Sequence, residues 1–167
     1  MIILITGGTR SGKSSYAQER ALRIEANPVY LATARKWDDE FNQRIKTHQA
    51  DRDNRWHNRE EELFPSSVQL PTNTCVIDCV TLWLTNIFLG KQQDINKSLI
   101  DFKTEADNLA NSNSTYLIVT NEIGMGLHAD TEMGRKFADL QGWANQYLAK
   151  KAIEVVLMVS GIPVRIK

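Results

Sequence analysis

The sequence has little of what would mark it as secreted, membrane-embedded or bound to nucleic acid. Only two cysteines occur, Cys75 and Cys79. Two thiols at that spacing make neither a disulfide framework nor a Cys-x-x-Cys site. They lie in an apolar, strand-like segment where alternate residues share a face, so both are expected to point the same way, as reduced core thiols. That suits a cytoplasmic chain. Charge of one sign is also missing: 20 Lys and Arg balance 20 Asp and Glu. A nucleic-acid partner is therefore not expected, because phosphate backbones select for basic surplus. Long apolar runs are absent as well. Met1-Ile2-Ile3-Leu4-Ile5-Thr6 stops at glycine, too soon for a signal segment or a membrane span. No low-complexity tract, linker or repeat interrupts the chain, so residues 1–167 are read as a single domain.

What is present is an alternation of short β-branched runs with helix-length amphipathic segments. That pattern predicts an α/β fold, a mostly parallel sheet covered by helices. Strands are expected at residues 2–6, 29–32, 74–79, 116–120 and 153–159. Helices are expected at about 13–26, 38–50, 80–89, 94–110 and 131–150, with Asp38 and Asp94 as caps. Ser160-Gly161 should turn the chain into a short antiparallel edge strand over 162–166. The polar, glutamate-rich stretch 56–71 carries no pattern that assigns it.

Between the first strand and first helix the chain reads Gly7-Gly8-Thr9-Arg10-Ser11-Gly12-Lys13-Ser14. This matches G-x-x-x-x-G-K-[ST] in full and stands in the context that pattern requires, after a strand and opening a helix. Glycines let the backbone curl so that successive N–H groups face phosphate oxygens, and the helix adds its positive end. Lys13 is expected on the β- and γ-phosphates and the Ser14 hydroxyl on Mg²⁺. A nucleoside triphosphate is thus implied, but no particular reaction.

Ligands of open α/β sheets sit outside the carboxyl ends of the strands. The residues found there are Thr33, Ala34 and Arg35, then Asp78, then Asn121 and Glu122. Asp78 closes an apolar run and suits a group holding Mg²⁺ or its water. Arg35 reads equally as a solvated surface charge, and Glu122 as a strand cap or an ion-pair partner. His48 shares a helical face with Phe41 and Ile45, with Arg44 and Arg52 one turn to either side. It is either a satisfied core histidine or a nucleophile toward phosphorus whose charge balance the arginines supply.

Several segments together resemble the bifunctional adenosylcobinamide kinase/adenosylcobinamide-phosphate guanylyltransferases. They are Ile5 to Ser14, Leu31-Ala32-Thr33-Ala34, Arg44-Ile45 with His48 and Arg52, Trp56, Glu60, and Asp78 to Asn86. The run Val119-Thr120-Asn121-Glu122-Ile123-Gly124-Met125-Gly126 and the tail Val159-Ser160-Gly161-Ile162 are the most particular. The resemblance implies a three-layer, RecA-like P-loop fold and a homotrimer. It also implies two reactions on a corrinoid substrate, adenosylcobinamide and then its phosphate, with ATP and GTP as nucleotide substrates. His48 would be the residue that carries GMP. Residues 7–14, Thr33, Ala34, Arg35, Gln49, Ala50, Asp51, Arg52, Glu60 and Asp78 would contact the guanine nucleotide. Here Thr47 precedes the histidine, where the family often has arginine or histidine. Asp53 stands where a proline often follows Arg52.

Overall fold

Ile2-Ile3-Leu4-Ile5 is apolar at every position, as a strand buried on both faces must be. It forms the greater part of β1 (Ile2–Gly7), whose apolar residues are all buried. The structure is a computed structural model that describes residues 1–35, 53–126 and 128–167. After β1 come α1 (Lys13–Ile24), β2 (Val29–Ala32), β3 (His57–Glu60), a 3-10 turn (Pro65–Ser67) and β4 (Thr74–Asp78). These are followed by α2 (Val80–Gly90), α3 (Ile95–Asn111), β5 (Thr115–Val119), α4 (Glu132–Lys151), β6 (Glu154–Val159) and β7 (Ile162–Arg165).

The strands make one seven-stranded sheet in the order β3-β2-β4-β5-β1-β6-β7. β1 to β6 run parallel, and β7 returns antiparallel along β6 with Val159 opposite Ile162. Alternate β1 residues feed two cores. Ile2 and Leu4 pack with Trp83, Phe102, Leu140 and Leu148, so α2, α3 and α4 cover one face. Ile3 and Ile5 pack with Ala17 and Ala21 of α1 on the other. The result is the three-layer, mostly parallel architecture with an antiparallel edge strand that the sequence predicts.

Among the described residues two helix starts are capped by side chains: Asp94 accepts from the Lys97 amide and Thr131 from the Gly134 amide, each at 3.0 Å. The expected helix over 38–50 lies outside the described residues. One expectation needs correction. Cys75 and Cys79 do not share a face: Cys75 sits in the core under α2–α4 and Cys79 in the core under α1. Strand geometry stops at Asp78, so the alternation that would align them no longer applies. The stretch 56–71, which no pattern assigns, contains β3, whose residues His57, Asn58, Arg59 and Glu60 pair in parallel with Val29 to Ala32. Trp56, just before it, is buried edge-on against Tyr30, ring centroids 6.0 Å apart.

Candidate active site at the carboxyl edge of the sheet

The loop between β1 and α1 curls through positive φ at Gly7 (149°), Arg10 (57°) and Gly12 (90°). At Gly7 a Cβ would lie 2.6 Å from the Met158 carbonyl oxygen and 2.8 Å from Ser11 Oγ, so only glycine fits. At Gly12 it would lie 3.3 Å from the Cα of Gly161. Ser160 (φ 51°) and Gly161 (φ 83°) form the two-residue turn between β6 and β7. The Gly161 amide donates to the Ser11 carbonyl at 3.0 Å, so the turn buttresses the loop. Ser14 lies in the first turn of α1, where unpaired amides and the helix dipole favour an anion. Lys13 is buried and folded over its own loop, donating to the Gly8 carbonyl and to Ser11 Oγ. Burial pulls its pKa below the usual lysine value, and the neighbouring Cys79 and Asp78 oppose that. Burial likewise pushes the Cys79 thiol up to about 12, so it is neutral at physiological pH.

Asp78 ends β4 and is anchored from the α1 side. Tyr30 Oη donates to Asp78 Oδ2 at 2.7 Å, and Trp56 packs on that tyrosine. The bond engages Oδ2 and leaves capacity on the other oxygen. Thr33 follows β2, is fully buried, and is tied to the protein by three bonds. Its amide donates to the Asp78 carbonyl (3.1 Å), its hydroxyl donates to the Cys79 carbonyl (2.7 Å), and its carbonyl accepts from Asn86 Nδ2 (2.9 Å). Asn86 Nδ2 also donates to the Glu62 carbonyl at 3.1 Å, so one buried amide joins the segments that follow β2 and β3. Those segments border a cleft of about 590 Å³ lined by Ala34, Arg35, Glu60, Glu62 and Phe64 among others. Arg35 lies 3.8 Å from Glu62 across it. In sheet order β3 stands four places from β1, roughly 19 Å at ~4.8 Å per strand. That is the length scale of an extended nucleoside triphosphate.

β5 lies between these two regions, next to β1. Its continuation is clamped to the phosphate loop: the Thr120 amide donates to the Ile5 carbonyl (2.9 Å) and the Glu122 amide to the Gly7 carbonyl (3.0 Å). Behind it, Gln141 Nε2 donates to Thr120 Oγ1 and Asn145 Oδ1, and Asn145 Nδ2 donates to the Asn121 carbonyl, all at 3.0 Å. Asn121 Nδ2 in turn donates to Thr81 Oγ1 at the start of α2, also at 3.0 Å.

The structure thus brings residues 7–14 and Asp78 to one end of the sheet, with Ala34, Arg35 and Glu60 further along the same edge. His48, Gln49, Ala50, Asp51 and Arg52 lie outside the described residues. Sequence reading assigns no role to Tyr30, Asn86, Gln141 or Asn145. The available signal is polarity out of place: an amide within the apolar α2 run, and two amides one turn apart on the inner face of α4. Among the described residues no three His, Cys, Asp or Glu side chains converge to hold a metal by themselves. The donors here suit magnesium instead, which commonly takes one or two protein oxygens and completes its shell with phosphate and water.

The family model described as cobinamide kinase / cobinamide phosphate guanyltransferase matches residues 3–166. The chain is 35% identical to the bifunctional adenosylcobalamin biosynthesis protein CobU of Escherichia coli, over all of both chains. It is 36% identical to the protein of the same name from Salmonella typhimurium, again over all of both chains. With the Pseudomonas aeruginosa protein CobP the identity is 34%, over 98% of this chain and 96% of that protein. Among solved structures an ATPase domain is similar, with TM-score 0.46 and 12% identity over 93% of this chain and 68% of that one. The carboxyl-edge site described above therefore belongs to a bifunctional enzyme of adenosylcobalamin biosynthesis, and the chain is a member of the cobinamide kinase / cobinamide phosphate guanyltransferase family.

Proposed function

We propose that the chain first phosphorylates the aminopropanol hydroxyl of adenosylcobinamide with a nucleoside triphosphate, ATP or GTP. It then moves GMP from GTP onto His48, releasing pyrophosphate, and from His48 onto adenosylcobinamide phosphate to give adenosylcobinamide-GDP. In the guanylyl step the imidazole nitrogen bonds to the α-phosphorus as the bond to pyrophosphate breaks. A phosphate oxygen of the corrinoid then displaces the histidine, which leaves as neutral imidazole.

The observation that carries this reading is the preformed phosphate loop, with Lys13 and Ser14 at the head of α1 and Asp78 nearby. Lys13 would leave its own loop for the outer phosphates, exchanging two internal bonds for charge-assisted ones. Ser14 and Asp78 would hold Mg²⁺, which neutralises charge on the phosphates when bound. The cleft by Ala34, Arg35 and Glu60 would take the nucleoside end, and Gln49, Ala50, Asp51 and Arg52 would also contact the nucleotide.

We also propose a homotrimer working in the cytoplasm. Val159, Ile162, Val164 and Ile166 present exposed apolar side chains along the sheet's β7 edge, which suits burial against another copy. The two thiols are free and buried, which suits a reducing compartment. Among the described residues no helix is long and apolar enough to cross a membrane.

Incubation with α-labelled GTP tests the covalent step. The expected result is label retained by the protein, acid-labile and alkali-stable, absent in His48→Asn and in Lys13→Ala. Label retained in full by His48→Asn would assign the intermediate elsewhere. No label on the wild type while phosphorylation proceeds would leave a kinase without a covalent nucleotide.

A further inference from the structure

Phosphorylating a hydroxyl requires a group to take its proton, and the carboxylates along the carboxyl edge differ in what they have free. Asp78 accepts from Tyr30 and lies close to Lys13. Glu61 accepts from the amides of Leu63 and Phe64 at 2.8 and 2.9 Å. Glu62 faces Arg35, and Glu60 is also engaged. Glu122 is different. Among the described residues its half-buried carboxylate has no hydrogen bond and no ion pair.

Its main chain, in contrast, is held firmly. The amide of Glu122 is bonded to the carbonyl of Gly7, the first residue of the phosphate loop. The preceding residue is fixed on both sides, its carbonyl by Asn145 and its side chain by Thr81. Such clamping places a free acceptor in the segment that follows β5, the strand beside β1, against the first residue of the loop that grips the outer phosphates. The carboxylate lies beside Gly124, Oε1 coming within 3.9 Å of where a Cβ there would stand. Beyond it Ile123 and Met125 are exposed, Met125 to 78%, an apolar shelf next to the acceptor where the carbon framework of a substrate could rest.

We propose that Glu122 is the general base of the kinase step. Its carboxylate takes the proton of the corrinoid's hydroxyl as that oxygen bonds to the γ-phosphorus. The bond from the γ-phosphorus to the β–γ bridging oxygen breaks, and the nucleoside diphosphate leaves with that electron pair. The proton then passes from Glu122 to water. Guanylyl transfer does not need this group, because a phosphate monoester is already ionised when it attacks. This assignment rests on the kinase half of the family's activity, which wild-type turnover establishes separately in the same assay.

Glu122→Gln keeps the shape and removes the basicity. It is expected to lower kcat for cobinamide phosphorylation by about 100-fold or more, the usual worth of a positioned base. Its KM for Mg·ATP should stay within about threefold, as should guanylyl transfer to pre-made cobinamide phosphate, which also certifies that the variant is folded. Glu122→Asp should fall between the two. Kinase turnover kept within about threefold in Glu122→Gln would overturn the proposal. So would a parallel loss of both activities, or a kinase defect repaired by excess Mg²⁺, which would make Glu122 a metal holder.

Discussion

Around β1 the carboxyl edge is closed by main-chain bonds and glycine contacts, whereas around β2 and β3 two main-chain bonds, Thr33 to Asp78 and Glu61 to Ala32, are joined by side-chain ties and the edge faces water. On the β1 side, Gly7 and Gly12 pack against β6 and the Ser160-Gly161 turn, and the chain after β5 stays bonded to β1 and its loop through Thr120 and Glu122. On the β3 side, His57–Glu60 is a polar edge strand of four residues, three of them exposed. The segment after it is fastened by the Glu61 amide on the Ala32 carbonyl, by Asn86 Nδ2 on the Glu62 carbonyl and by the Trp83 indole on the Leu63 carbonyl. Phosphates are alike in every nucleotide and reward a rigid cradle. The other end must take up a nucleoside and let a bulky acceptor approach, and a loosely fastened edge permits that.

Substitutions can break this contrast, beginning with the strongest. Gly7→Ala would drive a methyl into the Met158 carbonyl, costing about 2–4 kcal/mol. Urea unfolding should show that loss together with weakened triphosphate binding. Asn86→Ala removes two donated bonds and leaves the Thr33 and Glu62 carbonyls without them, about 2–3 kcal/mol. Hydrogen exchange should then quicken over residues 57–64 and stay unchanged over 7–14. Equal quickening in both would mean that the two halves are one unit.

Glu154→Gln sharpens the comparison from the rigid side. Arg20 of α1 donates to both Glu154 carboxylate oxygens at 2.6 Å, tying the phosphate-binding helix to β6. The expected loss is about 1–2 kcal/mol for this partly buried pair. Arg20 holds the Glu154 carboxyl below the usual carboxylate range. The contribution is therefore fully present above that range and disappears as pH falls through the lowered folded value. Glu154→Gln should flatten the acid side of the stability profile and leave the neutral side merely lowered. Phe64→Ser, at an exposed position on the cleft, should change stability by no more than about 0.5 kcal/mol. Any effect it has should fall on nucleotide KM.

The sequence reports the two halves unequally for the same physical reason. The phosphate loop is legible because backbone curvature demands glycine at Gly7 and Gly12, and the hairpin because Ser160-Gly161 can enter positive φ. Both are local requirements. β3 is illegible because His-Asn-Arg-Glu has no alternation of its own; it is a strand because β2 offers it a free edge. The separation of Cys75 from Cys79 is hidden because it depends on the residue at which β4 ends. The bonds from Asn86, Gln141 and Asn145 bridge distant segments, and single amides within a helix do not reveal their targets.

The meeting of Gly161 with Ser11 and Gly12 also gives the molecule an order of assembly. On the ribosome the phosphate-gripping turn emerges before β2, and its buttress only after β6. Until then the nascent chain carries the signature of a nucleotide site without the backing that sets its curve. Competence to hold a triphosphate should arrive only with the hairpin of β6 and β7, once Gly161 can meet Ser11.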